Sequence, residues 1–409
     1  MNILMLSSTF PYPPSRGGTE IRTFNLLKYL HQSHPVTVIT QRHEDVSDAD
    51  IEALQQYTSE LVIFPLVTAP EQGGKLQRIS GKVSRFLESW IKGTPPNVLH
   101  RYSPALQTWV DDRLRAGKFD VVTCEHSVNE IYIRPEFRRT VRTVVDVHSS
   151  VYAWTRNHLE MDASDHPFRD RLYLSLLKRY ERRYCQKFTD IVVTTDDDRQ
   201  ELLRFNPNSQ FAVIPNGVDL ELFPLRSHDP GGHRLVFVGA MDASHNIDAA
   251  RFFTLEVMPR LRQRYPDATF SIVGARPTPE IQAFGNQPGI IVTGKVASMV
   301  EQLHQATVCV VPLRTGFGIK NKTLEAMAAG VPVVGSDRGL EGLAVDGENT
   351  PLRALRANRV EEYIEAISRL FTDSELRSQL SREGRSLIES TYTWEAAGHA
   401  YEKVLTQAK

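Results

Sequence analysis

Short runs of consecutive apolar, often β-branched residues alternate along the chain with longer segments whose apolar positions recur at helical spacing. The runs at 2–7, 35–40, 61–66, 119–124, 143–147, 191–194 and 211–215 predict a first set of strands. Those at 234–239, 269–273, 290–293, 307–311 and 332–335 predict a second. Most are apolar at successive positions instead of alternate ones, as in strands covered on both faces. Between them, 18–31, 76–91, 168–187, 246–265, 360–371 and 375–390 read as amphipathic helices, and 394–406 as a last one.

Strict strand–helix alternation predicts right-handed crossovers and open parallel sheets, an α/β class. The series restarts near residue 234, after a Pro-, Gly-, His- and Asp-rich stretch at 224–233 that reads as a linker. Two Rossmann-like domains are therefore expected, 1–222 and 223–390, facing one another across a cleft. The terminal segment 391–409 is expected to pack back on the first.

Composition narrows the function. Lys and Arg total 48 against 49 Asp and Glu, a net charge of −1, which argues against a nucleic-acid partner recognised by bulk charge. Cys124, Cys185 and Cys309 are isolated, so neither a disulfide framework nor a zinc cluster is expected, in keeping with a reducing compartment. The apolar start is short and runs into Pro11 and Pro13, reading as a strand and not a signal peptide. A cytoplasmic location is expected.

In parallel sheets ligands gather beyond the carboxyl ends of strands. Ser15-Arg16-Gly17-Gly18 closes the loop after the first strand, either as a helix-entry turn or as a backbone cradle for phosphate or sugar. His126 and His148 directly follow the fourth and fifth strands, where an imidazole can exchange hydrogen bonds with a ligand. The richest segment runs from Pro312 to Pro332. Gly316 and Gly318 precede a helix start, Lys320 and Lys322 add charge, and Glu325 falls in the first turns. Glycines and cations before a helix suit an anion. The carboxylate suits a pair of hydroxyls, so together they describe a nucleotide's ribose and diphosphate.

From Lys75 to Lys92 the apolar residues Leu76, Ile79, Val83, Phe86, Leu87 and Trp90 keep helical spacing beside Arg78, Lys82 and Arg85. This basic stretch, 75–92, is either an ordinary charged helix face or a peripheral contact with an anionic membrane.

Taken in order, the motifs resemble those of the family-4 retaining glycosyltransferases of the GT-B fold. They are Gly17-Gly18, Asp120-Val-Val-Thr-Cys-Glu-His126, Ile214-Pro-Asn-Gly-Val-Asp219, Val236-Phe-Val-Gly239, Ser271-Ile-Val-Gly274 and Thr293-Gly-Lys295-Val296. Most specific is Leu324-Glu-Ala-Met-Ala-Ala-Gly-Val-Pro-Val-Val334. The resemblance implies transfer of a sugar from a UDP- or GDP-linked donor to a saccharide, lipid-linked or small-molecule acceptor. It implies retention at the anomeric carbon and no required metal or other cofactor. By similarity, His126 contacts the sugar near the reacting centre, and Gly17 and Gly18 approach the donor phosphate or acceptor. Gly239, Gly318, Ile319, Lys320, Asn321 and Lys322 line the donor. The Thr323 and Leu324 backbone meets phosphate, Glu325 holds the ribose hydroxyls, and Lys295 and Val296 border the base. Arg16, His148 and Arg156 are acceptor or sugar candidates.

Two departures stand out. The family's usual Glu, seven residues, Glu pattern lacks its first member; Phe317 lies eight before Glu325, and alignment on Gly-Phe-Gly places Thr315 there. The usual Arg and Lys after the Val-Gly strand are Ala240 and His245. Lys320, with Lys322, is expected to supply the missing cations that stabilise the departing diphosphate. Bacterial members associated with polysaccharide export show a similar Gly-x-Lys-x-Lys-x-Leu-Glu-Ala-Met arrangement. A GT-B sugar-nucleotide epimerase and a non-catalytic sugar-nucleotide-binding protein are the alternatives.

Overall fold

The computed structural model describes residues 1–14, 17–66, 88–161, 164, 166–316 and 318–407. Arg16, Phe317 and most of the basic stretch 75–92 lie outside the described residues.

The chain forms two compact units, Met1–Leu159 with Ser164–Pro215 and Ala397–Lys409, and Asn216–Ala396 with Glu160–Ala163. The first contains β1 (Ile3–Ser7), β2 (Val36–Arg42), β3 (Glu60–Pro65), β4 (Val121–Glu125), β5 (Arg142–Asp146), β6 (Asp190–Val193) and β7 (Gln210–Val213). Their order is β3-β2-β1-β4-β5-β6-β7, every pair parallel. Central strands β1, β4 and β5 are buried along their whole length, while the edge strands β3 and β7 are only partly covered. This explains why the central runs carry apolar residues at successive positions.

The second unit holds β8 (Arg234–Val238), β9 (Thr269–Val273), β10 (Ile290–Gly294), β11 (Val308–Val311), β12 (Val333–Gly335) and β13 (Leu355–Arg356). Their order is β10-β9-β8-β11-β12-β13, again all parallel. Two-residue β13 carries no periodic signal and is absent from the sequence-based expectation. The helix expected at 246–265 runs as Ser244–Phe252, a π-turn at Phe253–Val257, and Met258–Arg264. Pro259 has no amide to offer the preceding turn, which the wider π geometry accommodates.

The division falls at Pro215/Asn216, seven residues before the expected boundary at 222. Residues 216–223 attach to the second unit: Val218 bridges to Thr393, its amide donates to the Tyr392 carbonyl at 2.9 Å, and Phe223 enters that core. The expected segment 391–409 is divided at 396/397. From Ala397 the terminal helix Trp394–Thr406 groups with the first unit. There Gly398 lies against Tyr29 so closely that a Cβ would stand 2.2 Å from the ring, and Glu402 accepts from His34 at 2.8 Å. No helix among the described residues is long and apolar enough to cross a membrane.

Candidate active site

Each sheet has one topological switch point, where successive crossovers leave in opposite directions and a crevice opens beyond the strand ends. It lies between β1 and β4 in the first unit and between β8 and β11 in the second. Gly17-Gly18 and His126 follow the first pair; Gly239 and Gly318–Lys322 follow the second.

At the first crevice, Gly17 caps the helix Gly18–Leu30 in an extended conformation, φ −175°, and Gly18 is not in the left-handed region either. What Gly18 provides is bareness: nothing lies within 4 Å of where its Cβ would stand, so a ligand can reach the backbone there, whereas a Cβ on Gly17 would stand 2.8 Å from Glu20 Oε2. The same helix sends Arg22 into the interior, where its Nε donates to Asp146 Oδ2 at 2.6 Å, both side chains buried.

His126 has φ +77°, a conformation that strains a residue with a Cβ. Its amide donates to the Asp146 carbonyl at 3.0 Å, and its Nδ1 accepts from the Val128 amide at 3.4 Å. Its ring meets that of His148 edge to face, centroids 5.1 Å apart. Burial, with His148 next, pushes the His126 pKa down to about 3; burial and Arg22 do the same for His148. A neutral imidazole accepting at Nδ1 carries its proton on Nε2. His126 therefore presents an N–H donor, suited to a hydroxyl or developing oxyanion and unsuited to taking a proton.

Beneath it, Glu125 and Asp146 are register partners on β4 and β5. Glu125 Oε1 accepts from Thr123 at 3.0 Å and from Tyr401 at 2.7 Å. Burial, followed by the Asp146 charge, raises the Glu125 pKa, so the pair tends to keep a proton. Ligand-type atoms of Glu125, Asp146 and His148 lie within 4.8 Å of one another. The Arg22 guanidinium already places a fixed positive charge on Asp146, which opposes a second cation there. Arg156, a sugar candidate from sequence, is engaged by Glu201 at 2.9 Å and stacks over Tyr152 at 5.4 Å.

At the second crevice, Gly316 and Gly318 take φ +97° and +81°, as the turn into the helix Asn321–Ala328 demands. Lys322 reaches toward β8: its ammonium bonds Asn246 Oδ1 and lies 4.5 Å from the centre of the Phe237 ring. A Cβ on Gly239 would stand 2.8 Å from that ammonium, so glycine is what admits it. Burial lowers the Lys322 pKa to about 7 and raises that of Glu325 to about 7, each drawn partway back by the other's charge. Lys320 turns the opposite way, to the Gly318 carbonyl and to Glu341 Oε2 at 3.1 Å, with Arg338 3.4 Å from the other Glu341 oxygen.

The Thr323 and Leu324 amides, expected to meet phosphate, both donate to the Lys320 carbonyl, at 2.9 and 3.3 Å. Leu324 and Ile319 place their side chains in the core. The Asn321 and Lys322 amides find no acceptor among the described residues, and Asn321 Oδ1 accepts from Asn216 at 2.8 Å. Lys295 and Val296 follow β10, the first exposed and the second packed partly on the core. Thr315, at the position of the missing carboxylate, is buried with its hydroxyl unpartnered among the described residues. Sequence reasoning missed Arg22, Asn246, Asp146 and Glu341. Only Asp146 ends a strand, where such a search would look; Glu341 lies six residues past the end of β12.

Known structures share this architecture. Sucrose-phosphate synthase from Thermosynechococcus elongatus superposes with a TM-score of 0.68, at 17% identity, covering 98% of both chains. Anabaena HepE in complex with UDP gives 0.67 at 13% identity, over 99% of this chain and 100% of that one. The fold is thus that of the GT-B proteins.

Residues 16–222 match the model of Glycosyltransferase Family 4, and 232–373 match that of Glycosyl transferases group 1. The chain belongs to glycosyltransferase family 4. A "Putative glycosyltransferase YtcC" of Bacillus subtilis is 36% identical over 86 residues, 20% of this chain and 21% of the relative. A Corynebacterium glutamicum protein named "GDP-mannose-dependent monoacylated alpha-(1-6)-phosphatidylinositol monomannoside mannosyltransferase" is 25% identical over 251 residues, 53% of this chain and 62% of the relative. The chain thus spans about a fifth and 62% of these relatives' lengths.

Proposed function

We propose that the protein is a retaining glycosyltransferase that moves a sugar from a UDP- or GDP-linked donor to a saccharide, lipid-linked or small-molecule acceptor without a required metal. One observation carries this reading. At the second switch point a buried ammonium, Lys322, stands beside a glycine opening, a helix N-terminus and, one turn on, the carboxylate of Glu325. A pyrophosphate supplies counter-charge to Lys322, and Glu325 takes the ribose hydroxyls. The solved complex of HepE with UDP and the GDP-mannose dependence in the corynebacterial relative's name support a nucleotide-linked donor.

Chemically, cleavage at the anomeric carbon leaves negative charge on the diphosphate. Lys322, the Asn321 and Lys322 amides and the helix dipole are aimed where that charge develops. His126 Nε2–H holds a sugar hydroxyl near the reacting carbon. With no imidazole base here, the acceptor's proton passes to the departing phosphate oxygen, which suits front-face attack and retention. If the stretch 75–92 is a peripheral membrane contact, the chain sediments with anionic vesicles at low salt.

The test is a panel of UDP- and GDP-sugars with candidate acceptors, read by nucleotide release and mass spectrometry. Transfer is expected with one pair, and its loss in His126→Ala and Glu325→Ala. An isomerised donor, or binding without turnover, would replace this reading by an epimerase or a binding protein.

A further inference from the structure

Lys320 and Lys322 are two residues apart at one helix start, yet their ammonium groups diverge across the sheet. Lys322 goes to the β8 side, the side of the switch point, against Asn246 and Phe237. Lys320 goes to the β12 side, to Glu341 in the loop that follows β12. Both members of that second pair are well covered, Lys320 at 10% and Glu341 at 2% side-chain exposure.

The loop 336–341 makes two further ties to the same hairpin. Thr323 Oγ1 donates to the Gly339 carbonyl at 2.7 Å, and Ser336 Oγ donates to the Leu313 carbonyl. Gly339 itself lies so near β11 that a Cβ would stand 2.3 Å from the Val311 carbonyl oxygen. The loop is a brace tied to Leu313, Lys320 and Thr323. The Lys320–Glu341 pair is its charged tie, set beside the turn that contains Gly318.

We infer that Glu341 is a positioning residue of the donor site: it holds Lys320, and with it the turn at Gly318 and the first helical turn, so that of the two lysines it is Lys322 that is offered to the pyrophosphate. This rests on the proposed donor reading and changes the expectation for Lys320. Its charge is spent inside the protein, on the hairpin's shape. A buried pair of this kind contributes chiefly by fixing geometry, since its Coulomb gain largely offsets its desolvation.

The experiment is a cycle of four proteins: wild type, Glu341→Gln, Lys320→Met and the double variant. Binding of UDP and GDP is measured by titration calorimetry, with thermal unfolding recorded alongside. Positioning predicts that each single variant weakens nucleotide binding by about tenfold and that the double variant is no worse than either, the signature of coupled residues. Direct phosphate contact by Lys320 predicts the reverse for Glu341→Gln: releasing the ammonium leaves binding unchanged or tighter, and that result overturns the inference. Equal binding by all four with lowered melting temperatures also overturns it, showing a role in stability alone. Should Lys320→Met fail to fold, Glu341→Gln decides by itself, because positioning predicts weaker binding and direct contact predicts binding unchanged or tighter. A wild type that binds neither nucleotide sinks the donor reading and this inference together, whereas wild-type binding with an unaffected Glu341→Gln sinks only the latter.

Discussion

Tyr401, in the last helix, donates its hydroxyl proton to Glu125 at 2.7 Å, one residue before His126 and 276 positions away in sequence. The tie secures the end of β4 from beneath, where Thr123 is the other donor. Tyr401→Phe removes a hydrogen bond to a buried carboxyl and should cost about 1–2 kcal/mol in urea unfolding. Glu125→Gln, which keeps an acceptor at Oε1, should cost less than Glu125→Ala. Equal losses in the two Glu125 variants would remove the hydrogen-bonding role.

His126 combines positive φ with an expected role in transfer. Glycine accepts this backbone freely, so His126→Gly should be more stable than His126→Ala by about 1 kcal/mol while both lose transfer. Chemical denaturation and nucleotide release, measured on both variants, separate strain from chemistry. An alanine variant as stable as the glycine one would show that the conformation is unstrained.

Lys322 and Glu325 contribute to the ligand-free protein a pH-dependent stability term that is lowest near neutrality. From pH 4.5, its ordinary pKa, to about 7, Glu325 keeps a proton in the fold that the unfolded chain has lost, so stability falls as pH rises. From about 7 to 10.5 the unfolded chain holds a Lys322 proton that the fold has released, so stability recovers. Denaturant midpoints at three pH values should show the dip in wild type. The dip should be shallower in Lys322→Met combined with Glu325→Gln.

Donor binding should be linked to the same proton. A pyrophosphate beside Lys322 favours the ammonium, so binding takes up a proton above pH 7 and affinity falls as pH rises, by at most about tenfold per unit. A UDP- or GDP-sugar serves as the probe, since its diphosphate has no titration near neutrality. Calorimetry in buffers of different ionisation enthalpy should report uptake in wild type and none in Lys322→Met.

Gly274 tolerates no side chain. Its φ is +153°, and a Cβ would lie 1.7 Å from the Gly239 carbonyl oxygen. Gly274→Ala should destabilise the second unit by about 3 kcal/mol or more, in the range of backbone-strain mutations. Gly239→Ala should fold but weaken nucleotide binding, because its Cβ meets Asn246 Nδ2 at 2.7 Å and Lys322 Nζ at 2.8 Å.

Much of this organisation is legible without coordinates. Uninterrupted apolar runs such as 3–6, 235–238 and 308–311 signal central parallel strands because both of their faces are covered. Chemistry follows strand ends because helix N-termini and loops open there. Thus His126, Gly239 and the Gly318–Lys322 segment stand out from sequence, and the structure puts them at the two switch points. β13 escapes because two residues carry no period, and the boundary moves to 215/216 because Val218 pairs with Thr393, a partner no local pattern announces.

Periodicity records whether a side chain is covered, and strand order follows from crossover rules; these are local properties of the chain. Which charges meet is not local. Arg22 reaches Asp146 across 124 positions, Lys322 reaches Asn246 across 76, and Lys320 reaches Glu341 across 21. The sequence shows two equivalent lysines before a helix. Only packing sends one toward β8 and the other toward β12, and so separates the proposed donor cation from the proposed strut.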